Sequence, residues 1–120
     1  MAIDDEEDFL KIVKLNLVET DKYEVLTLSS VKDIISQVHS FKPDIILLDL
    51  LMPAVGGLEA CEMLNNDPMG SNIPIIVLSA LDKNMDKLKA YRLGVVDYLV
   101  KPIEKKDLIA SIEKALQSKK

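Results

Sequence analysis

The sequence predicts an α/β fold, built as a doubly wound parallel sheet with helices on both faces. Helical and strand-like periodicities alternate along the 120 residues, which is typical of strands joined by crossover helices. Two of the strands contain continuously apolar runs, Ile45–Leu48 and Ile75–Leu78, as expected for strands buried on both faces. Right-handed crossovers then limit the topology to a doubly wound sheet.

The first half of the chain begins with an unusually short first strand. Only Met1–Ile3 precede the acidic run 4–8, so this strand is either a three-residue stub or a strand that has lost its first residues. The predicted elements that follow are a helix over 9–19, a strand over 23–28, a helix capped by Ser29–Ser30 that runs to about Val38, and, after Pro43, a strand over 44–49.

The second half of the chain alternates in the same way. A loop with Gly56 and Gly57 leads into it, and Gly94 is expected to end one of its helices in the left-handed conformation. The predicted elements are a helix over 58–65, a strand over 75–79, a helix over 83–93, a strand over 97–100 and a helix over 103–117.

Composition indicates one domain, residues 1–120, and excludes several kinds of function. The net charge of −5 comes from the five acids at 4–8, and with a single arginine, Arg92, the chain offers no surface for direct nucleic-acid binding. One cysteine, Cys61, excludes an internal disulfide and a cysteine-based zinc site. No apolar stretch approaches the roughly 18 residues of a membrane span. We therefore expect a cytoplasmic protein with no membrane association.

Charged and polar residues follow the strands at their carboxyl ends. Asp4 and Asp5 follow the first strand, Asp49 the third, Ser79 ends the fourth, and Lys101 follows the fifth. In open α/β sheets this edge is where ligands bind. Clustered carboxylates suit Mg²⁺, while a lysine and a serine suit phosphate oxygens. Because an aspartate can also act as a nucleophile, the pattern predicts metal-assisted phosphoryl transfer to a carboxylate.

Four motifs, in order and spanning the whole chain, resemble the receiver domain of two-component response regulators. They are Asp4-Asp5-Glu6, Asp49-Leu50-Leu51-Met52-Pro53 with Gly57, Ser79-Ala80, and Tyr98-Leu99-Val100-Lys101-Pro102. The resemblance implies a flavodoxin-like, five-stranded parallel sheet with strand order 2-1-3-4-5.

The resemblance also implies a metal site and a phosphoacceptor. Asp49 is the residue that would carry the phosphoryl group. Asp5, Asp49 and the backbone carbonyl of Leu51 would bind Mg²⁺ directly, and Asp4 would act mostly through metal-bound water.

The remaining implied roles belong to the phosphoryl group and the conformational switch. Ser79 and Lys101 would bind phosphoryl oxygens, and Ala80 would leave room for them. Tyr98 would be the switch aromatic that turns inward as Ser79 moves to the phosphate. The Lys101–Pro102 bond is expected to be cis.

In such a domain the phosphodonor is a sensor histidine kinase or a histidine phosphotransfer protein. The domain is a signalling domain that catalyses its own phosphorylation and dephosphorylation, and not an enzyme with a separate product. The output face is expected on the fourth helix, fifth strand and fifth helix, including Tyr91, Tyr98 and the turn near Ile103. A downstream protein, or an effector domain outside this chain, would read it. Leu51 and Leu81 cannot orient a water, which predicts slow loss of phosphate.

Three other functions would require different residues. A phosphatase or dehalogenase-like hydrolase would need an acid at Leu51, and a flavodoxin would need a first loop rich in Ser, Thr and Gly. A pseudo-receiver would lack acidic site residues.

Among the remaining residues, Glu6–Asp8 are expected mainly to start a helix, and His39 to be a solvated helix-end residue. Cys61 and Met63 are expected to pack on their helix or face solvent.

Overall fold

The fold is a five-stranded parallel sheet with helices on both faces. The computed structural model describes residues 1–52 and 56–118, so Pro53 of the second motif lies outside the described residues. The strands are Ala2–Ile3 (β1), Thr27–Leu28 (β2), Ile46–Leu48 (β3), Ile75–Ser79 (β4) and Asp97–Val100 (β5). The helices are Glu7–Val18 (α1), Ile34–Phe41 (α2), Gly57–Asn65 (α3), Asn84–Arg92 (α4) and Lys105–Gln117 (α5), with a 3₁₀ turn at Gly70–Asn72.

The strand order is β2-β1-β3-β4-β5 and every pairing is parallel, which confirms the predicted architecture. The short first strand is also confirmed. Although it has only two residues, β1 lies between β2 and β3, with Ala2 in register with Thr27 on one side and Leu47 on the other. The pairing of these two residues therefore places the residues that follow β1 at the centre of the sheet.

The core has two layers because successive strand residues face opposite sides of the sheet. In β3, Ile46 and Leu48 pack with residues of α2, α3 and α4, whereas Leu47 packs with residues of α1 and α5. The strands β3 and β4 are buried along their whole lengths. This two-sided burial explains why their sequences are continuously apolar.

The largest differences from the predicted bounds are in the second strand and the second helix. The strand expected over 23–28 is confined to Thr27–Leu28, because its partner β1 offers only two residues for pairing. The second helix begins at Ile34 and is not capped by Ser29–Ser30. The Ser30 hydroxyl instead accepts the Lys32 amide N–H in a turn, and Asp33 precedes the helix in the left-handed conformation, with φ of 59°.

Two backbone predictions in the second half of the chain are confirmed. Helix α4 ends at Arg92, and Gly94 has a φ of +88°, a conformation that favours glycine. The Lys101–Pro102 peptide bond is cis.

Candidate functional site

The carboxyl edge of the sheet brings together the side chains that the sequence pattern singled out. Asp4 and Asp5 follow β1, Asp49 follows β3, Ser79 ends β4, and Lys101 follows β5. Backbone hydrogen bonds continue past the strand ends, from the Asp49 amide to Ile3 (3.0 Å) and from the Lys101 amide to Ser79 (2.8 Å). The strand pairing itself therefore sets the relative positions of these residues.

Three of these residues form an acidic cluster. Asp4, Asp5 and Asp49 each offer one carboxylate oxygen, and these oxygens all lie within 4.8 Å of one another. Asp4 and Asp49 are buried, whereas Asp5 is exposed. Two buried carboxylates and an open third one match the donor set of a small, hard divalent cation, which binds few protein oxygens and keeps several waters. The residues present therefore fit Mg²⁺.

The Asp49 carboxylate has an environment that disfavours its charge. Burial is the largest effect on the pKa of Asp49 and raises it. The Leu51 amide, which donates to Asp49 Oδ1 at 3.2 Å, lowers the pKa, whereas the charge of Asp4 raises it. The charge of Lys101 and the Ser79 hydroxyl lower the pKa further, but the net shift is upward. A buried carboxylate with unfavourable charge gains from any cation, or from any reaction, that neutralises it.

The Lys101 ammonium lies within 4 Å of three carboxylates and forms hydrogen bonds to two of them. Its Nζ donates to Asp4 Oδ2 at 2.7 Å and to Glu6 Oε1 at 2.9 Å, whereas Asp49 Oδ2 is 3.9 Å away. The Phe9 ring centroid lies 4.1 Å from the same nitrogen. Burial alone would lower the pKa of Lys101, but the hydrogen bonds to Asp4 and Glu6 and the acidic charges raise it overall.

Ser79 and Tyr98 both contact the backbone of Leu81. The Ser79 hydroxyl is buried and accepts the Leu81 amide at 3.2 Å. The Tyr98 ring is also buried, and its hydroxyl donates to the Leu81 carbonyl at 2.7 Å. Burial raises the pKa of Tyr98, and the Ser79 hydroxyl partly opposes that shift. Tyr98 is therefore turned inward and tied to the loop that follows Ser79.

A small cavity of about 200 Å³ opens this site to solvent. Its lining residues are Asp5, Glu6, Asp49, Leu51, Ala80 and Lys101. The side of the site that faces solvent is thus bordered by acids, one lysine, and the apolar Leu51 and Ala80.

Two further residues contact Lys101. Glu6 directly precedes α1, as expected of a residue that mainly starts the helix, and its carboxylate also binds Lys101. The ring of Phe9, in the first turn of α1, lies against the same ammonium. The position of Glu6 directly after Asp4 and Asp5 was the signal available in the sequence.

Other expectations concern residues away from the site. His39 is half-exposed, but it is not simply solvated, because its Nε2 lies 2.8 Å from Asp67 Oδ1. Hydrogen bonds from the Gly70 amide and from His39 hold the pKa of Asp67 below its ordinary value. Cys61 is fully buried, and Met63 is exposed. Among the described helices, none is long and apolar enough to cross a membrane.

Comparisons with known proteins give the same picture along nearly the whole chain. The profile of the family described as response regulator receiver domain matches residues 1–113. The chain is 32% identical over 117 residues to the alkaline phosphatase synthesis transcriptional regulatory protein PhoP of Bacillus subtilis (strain 168), covering 98% of this chain and 48% of that protein. It is 34% identical over 117 residues to the probable transcriptional regulator ycf27 of Guillardia theta, covering 98% of this chain and 44% of that protein. The chain thus spans about half the length of these curated relatives.

Solved structures with the same fold include two that cover nearly all of the chain. A putative response regulator from Chloroflexus aurantiacus J-10-fl superposes with a TM-score of 0.89 at 27% identity, over 97% of this chain and 94% of that one. The chemotaxis protein CheY4 of Vibrio cholerae superposes with a TM-score of 0.87 at 23% identity, over 95% of this chain and 94% of that one.

Proposed function

The chain belongs to the response regulator receiver domain family of two-component signalling, and we propose that it is switched by phosphorylation of Asp49. The observation that carries this proposal is the buried Asp49 carboxylate. It belongs to the acidic cluster and lies near a lysine and a buried serine. We extend the proposal to the whole chain, residues 1–120, as one receiver domain. The family match ends at residue 113, within α5, which continues to Gln117.

The proposed phosphodonor is the phosphohistidine of a sensor histidine kinase or of a histidine phosphotransfer protein. One Asp49 oxygen forms the new P–O bond as the P–N bond of the phosphohistidine breaks. The imidazole, already protonated on its other nitrogen, departs as the neutral ring. A cytoplasmic location is part of the proposal, because a kinase forms its phosphohistidine from ATP.

Asp4, Asp5, Asp49 and the backbone carbonyl of Leu51 are the groups that would hold Mg²⁺ in this proposal. When bound, Mg²⁺ supplies positive charge to the carboxylates and to the phosphoryl oxygens. Lys101 supplies a second positive charge, at 3.9 Å from Asp49 Oδ2. The raised pKa of Asp49 supports this assignment, because charge neutralisation is what its environment lacks.

The proposed switch consists of Ser79 and Tyr98. Both are bound to Leu81, Ser79 through the Leu81 amide and Tyr98 through its carbonyl, so a movement of Ser79 toward a phosphoryl oxygen pulls on the group that holds Tyr98. The affected surface is the proposed output face of α4, β5 and α5. Support comes from the exposed apolar side chains of α4, which are Met85, Leu88 and Tyr91.

The proposed reader of this face is a downstream protein or an effector domain outside the chain. PhoP is named a transcriptional regulatory protein, and the match covers 48% of its length. A chain with net charge −5 and one arginine is not itself suited to bind nucleic acid. We therefore propose that any contact with DNA belongs to a different segment or protein.

The central test is labelling with a small phosphodonor. Incubation with Mg²⁺ and acetyl phosphate should add the mass of one phosphoryl group, as seen by intact-mass spectrometry. Asp49→Asn should abolish the addition, whereas Asp33→Asn, an exposed aspartate before α2, should leave it unchanged. Labelling that persists in Asp49→Asn would refute the assignment.

Slow loss of the phosphoryl group is a finer part of the proposal. Leu51 is 50% exposed at the rim of the cavity, and Leu81, two residues after Ser79, is partly buried. Neither leucine side chain can hydrogen-bond a water. Leu51→Asn or Leu81→Glu should therefore shorten the lifetime of the labelled protein, measured as the decay of the added mass after the donor is removed. An unchanged lifetime in both variants would contradict this part alone.

A further inference from the structure

The ammonium group of Lys101 is already occupied on three sides. Two of its N–H groups bind Asp4 Oδ2 at 2.7 Å and Glu6 Oε1 at 2.9 Å, and the Phe9 ring lies 4.1 Å away. An ammonium has three donors. At 3.9 Å, Asp49 Oδ2 is beyond hydrogen-bond distance. In this state Lys101 is therefore held beside Asp49 and is not bound to it.

The two acidic partners of Lys101 differ in how firmly they are placed. The Asp4 side chain is 2% exposed, and its Oδ1 accepts the Glu6 amide at 2.9 Å. The Glu6 side chain is 64% exposed and lines the rim of the cavity that leads to Asp49. An exposed ion pair is weak, whereas a buried one is costly to break. Of the two bonds, the bond to Glu6 is the one that Lys101 can release.

We propose that Glu6 is a positioning residue that holds Lys101 away from Asp49 and competes with the phosphoryl group for it. This inference rests on the proposed function, because it takes a phosphoryl group on Asp49 as the competitor. Two of the three N–H groups of Lys101 already bind carboxylates, so a phosphoryl oxygen would share the ammonium with Asp4 and Glu6. Glu6 therefore weakens the phosphorylated state by competing for the charge of Lys101.

The variant Glu6→Gln tests this with little change of shape. The amide keeps the length of the side chain and an acceptor oxygen but removes the charge, so Lys101 is held less firmly. The matched control is Glu7→Gln, the next residue, which removes the same charge from the first turn of α1. If only net charge near the site mattered, both variants would behave alike.

The first measurement is the affinity for beryllofluoride, which mimics a phosphoryl group on Asp49, by calorimetry in the presence of Mg²⁺. We expect Glu6→Gln to bind it about two- to fivefold more tightly than the wild type, as the strength of an exposed ion pair suggests. The difference should shrink at high salt, because an exposed pair is screened. Glu7→Gln should stay close to the wild type.

The second measurement needs neither metal nor phosphoryl mimic. The side-chain ammonium of Lys101 should give an NMR signal that shifts and becomes more mobile in Glu6→Gln, but not in Glu7→Gln. A merely structural role of Glu6 at the start of α1 would leave this signal in place.

The outcomes separate this inference from the proposed function. If the wild type binds beryllofluoride and Glu6→Gln binds it with the same or lower affinity, the competition is refuted while phosphorylation of Asp49 stands. An unchanged Lys101 signal would refute the holding contact in the same way. If the wild type binds no beryllofluoride, the proposed function fails, and this inference fails with it.

Discussion

Gly57, the first residue of α3, lies so close to the backbone of the Asp49 segment that even a methyl group has no room. A Cβ at this position would overlap the Asp49 carbonyl oxygen, and it would lie 2.5 Å from Leu50 Cα. The Gly57 amide also donates to the Leu50 carbonyl at 3.2 Å, which fixes the close approach. The substitution Gly57→Ala therefore tests how tightly α3 holds the segment that carries the proposed phosphoacceptor, Asp49.

The size of the effect follows from these distances. Ordinary contact begins at 3.4 Å, so α3 and the Asp49 segment would have to separate by about 0.9 Å, the difference between 3.4 Å and 2.5 Å. Both obstructing groups are backbone, so no flexible side chain can move aside. Overpacking of this kind costs about 1–3 kcal/mol, and we expect a loss of about 2–3 kcal/mol. In a domain of this length that corresponds to a drop in Tm of about 8–12 °C.

The same displacement should impair the chemistry. A misplacement of about 1 Å can slow a positioned reaction roughly 100-fold, so the rate of phosphoryl labelling by acetyl phosphate should fall by at least tenfold. Urea unfolding gives the stability, and intact-mass spectrometry gives the labelling rate at a temperature where the variant is folded.

Gly56→Ala is the matched control. Among the described residues, a Cβ there would meet only the Leu50 carbonyl oxygen, at 4.0 Å, and the φ of −73° at Gly56 suits any residue. A small loss of capping and a small gain from a stiffer unfolded chain should nearly cancel, within about 0.5 kcal/mol. If Gly57→Ala were as stable as Gly56→Ala and labelled at the wild-type rate, the inferred close contact would be wrong.

Three further predictions follow from single contacts and pKa shifts. Because the pKa of Asp49 is raised in the folded protein, ionisation of Asp49 opposes folding as the pH rises. Asp49→Asn should therefore raise the Tm at pH 7 without metal, and this gain should vanish at acidic pH. A lower Tm at pH 7 would contradict this prediction. Tyr98→Phe removes the 2.7 Å bond to the Leu81 carbonyl and should cost about 1 kcal/mol in urea unfolding, and a cost near zero would count against that bond. Cys61 is buried and its pKa is raised to about 11, so a disulfide reagent at pH 8 should modify it only as fast as the protein unfolds; immediate modification of the native protein would show that the thiol is accessible.

The sequence predicts the architecture well where burial dominates. Ile75–Leu78 is a run of apolar residues that a central strand buries on both faces, and the observed bounds of β4, Ile75–Ser79, agree with the prediction. The sequence predicts an element less well where the length of a strand is set by the strand it pairs with. The residues 23–28 have strand-forming side chains, but β2 is limited to Thr27–Leu28 by the two residues of β1.

The site shows the same division. The convergence of Asp4, Asp49 and Lys101 follows from topology, because parallel strands place their carboxyl ends at one edge. The bond between Glu6 and Lys101 joins residues 95 positions apart and depends on the direction of two flexible side chains. No periodicity or spacing encodes that direction, so this contact became visible only in the folded structure.

The separation of Asp4 and Lys101 has a consequence during synthesis. The two residues pair at 2.7 Å but lie 97 positions apart, so a growing chain on the ribosome carries Asp4, Asp5 and Asp49 long before their lysine is made. Until then, burial of the Asp4 and Asp49 carboxylates is opposed by their charge. The central sheet is therefore expected to close only after β5 has emerged. A nascent receiver would thus be unable to accept a signal before its last strand is in place.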